Sequence, residues 1–110
     1  MNRQQQLDQF SLALHRRALD ALRREPALRD HARQTLTRWR RQSGATPSDV
    51  LWDEWEQLLA NEQILALESA VLVESDHGQL LRSVSPLGGL VPQSERTMLL
   101  KQAREQVASQ

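Results

Sequence analysis

Apolar residues in the first part of the chain recur at intervals of three and four. From about Gln4 to Arg24 the positions Leu7, Phe10, Leu14, Ala18, Ala21 and Leu22 follow this spacing, which winds them onto one face of a helix. Leu12 and Leu19 form a second stripe beside His15, so this helix is expected either to have neighbours on two sides or to contribute to an interface, and to hold a central place in the fold. Pro26 cannot continue it but suits the first turn of a second helix, where Leu28, Ala32, Leu36 and Trp39 recur at four, four and three. Arg38, Arg40 and Arg41 crowd the last turn of that helix, where cations favour exposed carbonyls. Gly44 then supplies a left-handed stop, ending the helix near Gln42.

Thr46-Pro47-Ser48-Asp49 reads as the next helix start, with Thr46 as cap, Pro47 at the first position and Asp49 reaching back toward Thr46. This third helix runs to about Asn61. Its face of Leu51, Trp55, Leu58 and Leu59, flanked by Val50 and Trp52, makes the two tryptophans its anchors. Residues 64–73 predict a fourth helix, although Val71-Leu72-Val73 also suits a short strand. Asp76 is a plausible cap for a short turn of helix carrying Leu80 and Leu81. The stretch Ser83 to Pro92 is too rich in Gly and Pro for regular structure. It keeps Val84, Leu87, Leu90 and Val91, so it is expected to pack down, with Gly88-Gly89 turning where side chains would clash. Pro92 begins a last helix, through Leu99 and Ala103 to about Val107.

The prediction is therefore an all-α, compact bundle of five to six helices with one ordered Gly/Pro loop. One domain covers residues 1–110: a basic helical hairpin (4–42), acidic Trp-containing helices (47–74), and a loop with a C-terminal helix (76–107). Aromatics at 4% leave a mainly aliphatic core. The absence of cysteine removes disulfides, thiolate zinc sites and thiol nucleophiles together, and fits a reducing compartment. The opening MNRQQQLDQF is polar, and no apolar stretch approaches the ~18 residues of a membrane span; a cytoplasmic protein that neither crosses nor binds membrane is expected.

The net charge of zero hides a segregation. Residues 1–45 hold ten arginines against four acids, a net of +6. Residues 46–76 hold eight acids and no Lys or Arg, a net of −8, and the remainder carries +2. Either the blocks neutralise one another within the fold, which is favoured, or the basic block faces an anionic partner. The opposed blocks can meet within one chain or between two, so a homodimer stays open.

Candidate chemistry is sparse. His15, His31 and His77 lie far apart without metal-ligand spacing, so no metal and no cofactor is expected. Asp76-His77 with Ser83 or Ser85 could be drawn as a dyad and nucleophile, but no triad order or nucleophile elbow supports it. Asp53, Glu54 and Glu56 fall on a solvated face, and Gly88-Gly89 lacks any phosphate-cradling pattern. The run Arg33, Arg38, Arg40 and Arg41, with Trp39 interleaved, could contact nucleic acid; a helix end with its dipole satisfied is the favoured reading, because no recognition helix follows through a short turn.

Segments 12–28 (LALHRRALDALRREPAL), 38–39 (RW), 51–59 (LWDEWEQLL) and above all 81–96 (LRSVSPLGGLVPQSER) resemble a family of small bacterial proteins encoded beside toxin genes and read as antitoxins. The family tract, Leu-Arg-x-x-Ser-Pro-Phe/Leu, then a small apolar loop and Glu-Arg, is matched by Leu81, Arg82, Ser85, Pro86, Leu87, Glu95 and Arg96. The resemblance spans nearly the whole chain and implies neutralisation of a protein toxin by direct contact. An apolar loop beside arginines has the composition of an interface, which makes Arg82, Ser85, Pro86, Leu87, Leu90 and Arg96 the candidate partner-binding residues. The competing structural reading is that Arg82 and Glu95 clamp the loop to the body. A non-enzymatic protein-binding module is the expected function; a DNA-binding regulator, acting on its own operon, is the alternative.

Overall fold

The computed structural model describes residues 3–108, with side chains through residue 106. Six α-helices follow in order: α1 (Arg3–Arg24), α2 (Leu28–Ser43), α3 (Asp49–Ala60), α4 (Ile64–Val71), α5 (Asp76–Ser83) and α6 (Gln93–Ala108), with a single 3-10 turn at Gly88–Leu90. Among the described residues there is no strand, and α4 closes at Val71 with Leu72 as its C-cap.

The two stripes of α1 have the expected consequence. Leu12, Leu14, His15, Ala18, Leu19 and Leu22 are all buried, and α1 packs against α2, α4, α5, the 3-10 turn and, most extensively, α6. The burial does not extend to the helix start: Leu7, expected on the inner face, is 46% exposed, and Phe10 and Ala21 are half-buried. One core unites α1 with Ala32 and Leu36 of α2, Trp55 and Leu59 of α3, Leu67 and Val71 of α4, Leu81 of α5, and Leu87 and Val91 beyond it. The Gly/Pro stretch thus packs down as expected. Its glycines do so without strain: neither has a positive φ, and a Cβ on Gly89 would meet nothing within 4 Å. The tract is ordered because Pro86 and Leu87 are buried beneath it, rather than because glycine is required.

Helix starts and stops follow local chemistry. Asp49 accepts from the Thr46 N–H at 3.2 Å while the Thr46 hydroxyl accepts from the Ser48 N–H at 3.2 Å, so the expected reciprocal bonds form, but in the turn ahead of α3: the helix is capped at Ser48, and Pro47 precedes it instead of opening it. Gly44, at φ 64°, ends α2 and donates its N–H to the Arg40 carbonyl. Pro26 sits in the tight turn ahead of α2 rather than on the helix. At α5 the cap is Ser75, not Asp76: the Ser75 hydroxyl accepts from the Gly78 N–H at 3.1 Å.

Helix ends in the acidic segment need help from elsewhere. With no Lys or Arg in residues 46–76, neither α3 nor α4 has a cation in its last turn. Arg29 of α2 reaches across, its Nη1 within 2.6–3.2 Å of the Leu58, Leu59 and Asn61 carbonyls that end α3. Arg82 of α5 does the same for α4, donating to Val71 at 2.7 Å and Val73 at 2.9 Å. The carbonyls ending α5 accept in turn from α3: Trp55 Nε1 donates to Leu81 at 2.9 Å and Trp52 Nε1 to Val84 at 3.1 Å. The tryptophans do anchor α3, by their indole N–H groups as well as their area.

Candidate functional site

The 81–96 tract divides between the core and the surface. Arg82 is 7% exposed, and burial pulls its guanidinium below the ordinary arginine value although Asp8 and Glu74 favour the charge. Pro86 and Leu87 are buried, and the half-buried Ser85 hydroxyl accepts from the Leu87 N–H at 3.0 Å to shape the turn. Leu90 and Arg96 are half-buried. Half of the anticipated contact set is therefore structural: Arg82, Pro86 and Leu87 lie inside the protein while Ser85, Leu90 and Arg96 are partly exposed, and a partner reaches Pro86 or Leu87 only by dislodging the core. The proposed Arg82–Glu95 clamp does not form either. Glu95 is held by Arg17 of α1, Nε at 3.1 Å and Nη2 at 3.2 Å, which fastens the start of α6 to α1.

Arg82 nevertheless contributes to a surface feature. It forms the floor of a groove between the first half of α1 and α5, made of two adjoining hollows of about 280 Å³ and 310 Å³ that share Asp8, Gln79 and Arg82. A Gln79 to Asp8 hydrogen bond of 3.4 Å crosses between them. One hollow is polar, with Gln5, Gln9 and Glu74; the other is apolar, with Leu7 and Phe10 beside Ser83. Leu80, 53% exposed, lines neither hollow but lies on α5 one helical turn before Ser83. Sequence periodicity places Leu7 on the core face and names Leu80 with Leu81 on the short helix without separating the two. The available signal was the pair Leu80-Leu81 on one short helix: adjacent helical residues point about 100° apart, so on a helix packed along one narrow face one of the two is turned toward its margin.

The basic residues also separate into two sets. Arg40 pairs with Asp53 at 2.8 Å and Glu56 at 3.1 Å on α3, and the hydrogen bond to Asp53 holds its guanidinium above the usual arginine value. Arg23 pairs with Glu68 of α4. The basic and acidic blocks therefore meet in part across helices of one chain, through Arg23 and Arg40. Arg33, Arg38 and Arg41 instead lie with Gln34, Thr37 and Gln42 along the outer stripe of α2. Arg40, grouped with them by sequence, turns inward, and Trp39 stacks obliquely on Trp52 with ring centres 6.4 Å apart.

Neither Ser83 nor Ser85 is brought into hydrogen bonding with His77, and the carboxylate His77 meets is Glu54. His77 Nε2 lies 2.9 Å from Glu54 on α3, the Ser83 hydroxyl donates to the Leu80 carbonyl at 2.6 Å, and Ser85 is engaged with Leu87. His15 is buried, with Nδ1 2.7 Å from the Ser11 carbonyl, so Nδ1 carries the proton and Nε2 is a buried acceptor without a partner. Among the described residues no cluster of three metal-ligating side chains occurs, and no helix is long and apolar enough to cross a membrane. Comparison with family models, curated proteins and solved structures finds no match for this chain.

Proposed function

We propose that this chain is a non-enzymatic protein-binding module that docks its partner through the α1–α5 groove. The observation that carries this reading is the exposure of Leu7 (46%) in a concavity that the buried Arg82 also lines, with Leu80 (53% exposed) on the same short helix as Gln79, Arg82 and Ser83 of its wall. Protein interfaces favour this composition: apolar anchors close to a fixed guanidinium, surrounded by amides that can form a polar rim, here Gln4, Gln5, Gln9 and Gln79. Arg82 is held by two backbone carbonyls before any partner arrives, so little side-chain entropy remains to be lost on binding.

The antitoxin role is our reading of the resemblance in residues 81–96, and the groove supports it only as a surface suited to a protein. The test is co-expression with the product of the adjacent gene, read by growth and by co-purification of the two purified chains. Toxicity relieved by this chain, with a stable complex, supports the role. Leu7→Asp with Leu80→Asp is expected to abolish the complex while leaving helical circular dichroism unchanged, since both side chains are outside the core. A folded double variant that still binds and still relieves toxicity sinks the groove as the site.

A further inference from the structure

We propose that the outer stripe of α2 is a second binding face, directed at the phosphate backbone of double-stranded DNA. The basic block of the sequence is sorted by the fold. Arg17, Arg23, Arg24 and Arg40 meet carboxylates, and Arg29 caps α3. Three of the remaining arginines, Arg33, Arg38 and Arg41, share one shallow depression with Gln34, Thr37 and Gln42. The one acid there, Asp30, lies 4.0 Å from Arg33 across an exposed gap. Three arginines against Asp30 leave the stripe at about +2, and Glu56, which lines a neighbouring hollow with Arg33 and Thr37, is paired with Arg40. Satisfaction of the helix dipole accounts for Arg41 in the last turn, but Arg33 stands two turns earlier and gains nothing from it.

The chemistry of the stripe favours nucleic acid over a protein. It has no large apolar side chain to serve as an anchor, whereas phosphate contacts require only guanidinium, amide and hydroxyl donors, and all three are present. Arg33 to Arg41 spans about 12 Å along the axis at ~1.5 Å per residue, the length of roughly three to four phosphates of one strand at ~3.4 Å each. A duplex fits better than a single strand, because Trp39 is engaged with Trp52 and no aromatic is left on the stripe for bases to stack on.

The test is fluorescence anisotropy of a labelled 24-base-pair duplex titrated with the full chain in 50 to 200 mM KCl. Three phosphate contacts predict a log–log salt slope near −2.7, so affinity is expected to fall about 40-fold over that range. Arg33→Gln/Arg38→Gln/Arg41→Gln is expected to lose more than about tenfold at 50 mM; Arg16→Gln/Arg24→Gln/Arg104→Gln, with the same charge change on other exposed arginines, keeps its affinity and slope. Equal losses in both triples, or no binding at submillimolar protein, overturn the proposal. So does equal or tighter binding of single-stranded DNA or polyglutamate, or sedimentation showing that the stripe closes a homodimer. Each of these readouts is independent of toxin binding, so failure here and failure of the groove are distinguishable.

Discussion

Lowering the pH from 7 to 5 should weaken this fold through one residue, His15. The ring is 2% exposed on the inner side of α1. Burial drives its pKa from 6.5 down to about 4, against the pull of the Ser11 hydrogen bond and with a small further push from the Arg82 charge. The sign follows from proton counting. Between pH 6.5 and 4 the unfolded chain binds a proton at His15 and the folded chain does not, so stability is complete above the unfolded pKa and falls as pH falls. With the two pKa values above, linkage gives a loss of about 2 kcal/mol between pH 7 and pH 5, reaching about 3 kcal/mol at pH 4. Urea unfolding at pH 7, 6 and 5, followed by tryptophan fluorescence, measures it; His15→Leu supplies the reference, because every other titrating group is common to both chains. The variant should lose this part of the pH slope. Its stability at pH 7 should stay within about 1 kcal/mol of the parent, because removal of the unpaired Nε2 offsets loss of the Ser11 bond. Parallel pH dependences in the two chains, or an imidazole NMR titration midpoint for His15 near 6.5, would refute the argument.

Four further substitutions test the packing and the capping scheme. A Cβ at Gly78 would overlap the Val73 carbonyl and stand 2.9 Å from Val73 Cγ1, so Gly78→Ala should cost about 3 kcal/mol in chemical denaturation, whereas Gly89→Ala, with nothing within 4 Å and no positive φ, should be neutral or gain about 0.5 kcal/mol. Arg29→Met leaves the carbonyls ending α3 without their donor and should lower stability by about 1–3 kcal/mol; an unchanged urea midpoint would show that water replaces the arginine at no cost. Trp55→Phe keeps most of the ring but orphans the buried side of the Leu81 carbonyl. A loss of about 1–3 kcal/mol in thermal unfolding is expected, and a variant as stable as the parent would remove the indole N–H from the account of α5.

The fold was legible where its causes are local. The period of α1 and α2, the reciprocal bonds at Thr46 and Asp49, and the positive-φ stop at Gly44 each depend on residues within four positions of one another, and spacing exposes such relations directly. What stayed hidden was non-local: that Arg82 ends α4, Arg29 ends α3 and two indoles end α5 cannot be read from any window of sequence. One indirect signal was present. Residues 46–76 build two helices without a single cation, so the carbonyls at their ends need donors from outside the segment, and arginines flanking it on either side are the natural source. The same reasoning explains why the 81–96 tract looked like an interface. An arginine beside Ser-Pro-Leu has the composition of a binding loop, yet here the arginine closes a helix and Pro86 and Leu87 fill the core. Composition records which groups seek partners, and burial decides whether the partner is another chain or this one. By that criterion the better candidates for contact are the side chains the fold leaves unused: Leu7 in the groove, Leu80 on α5, and the three arginines outward on α2.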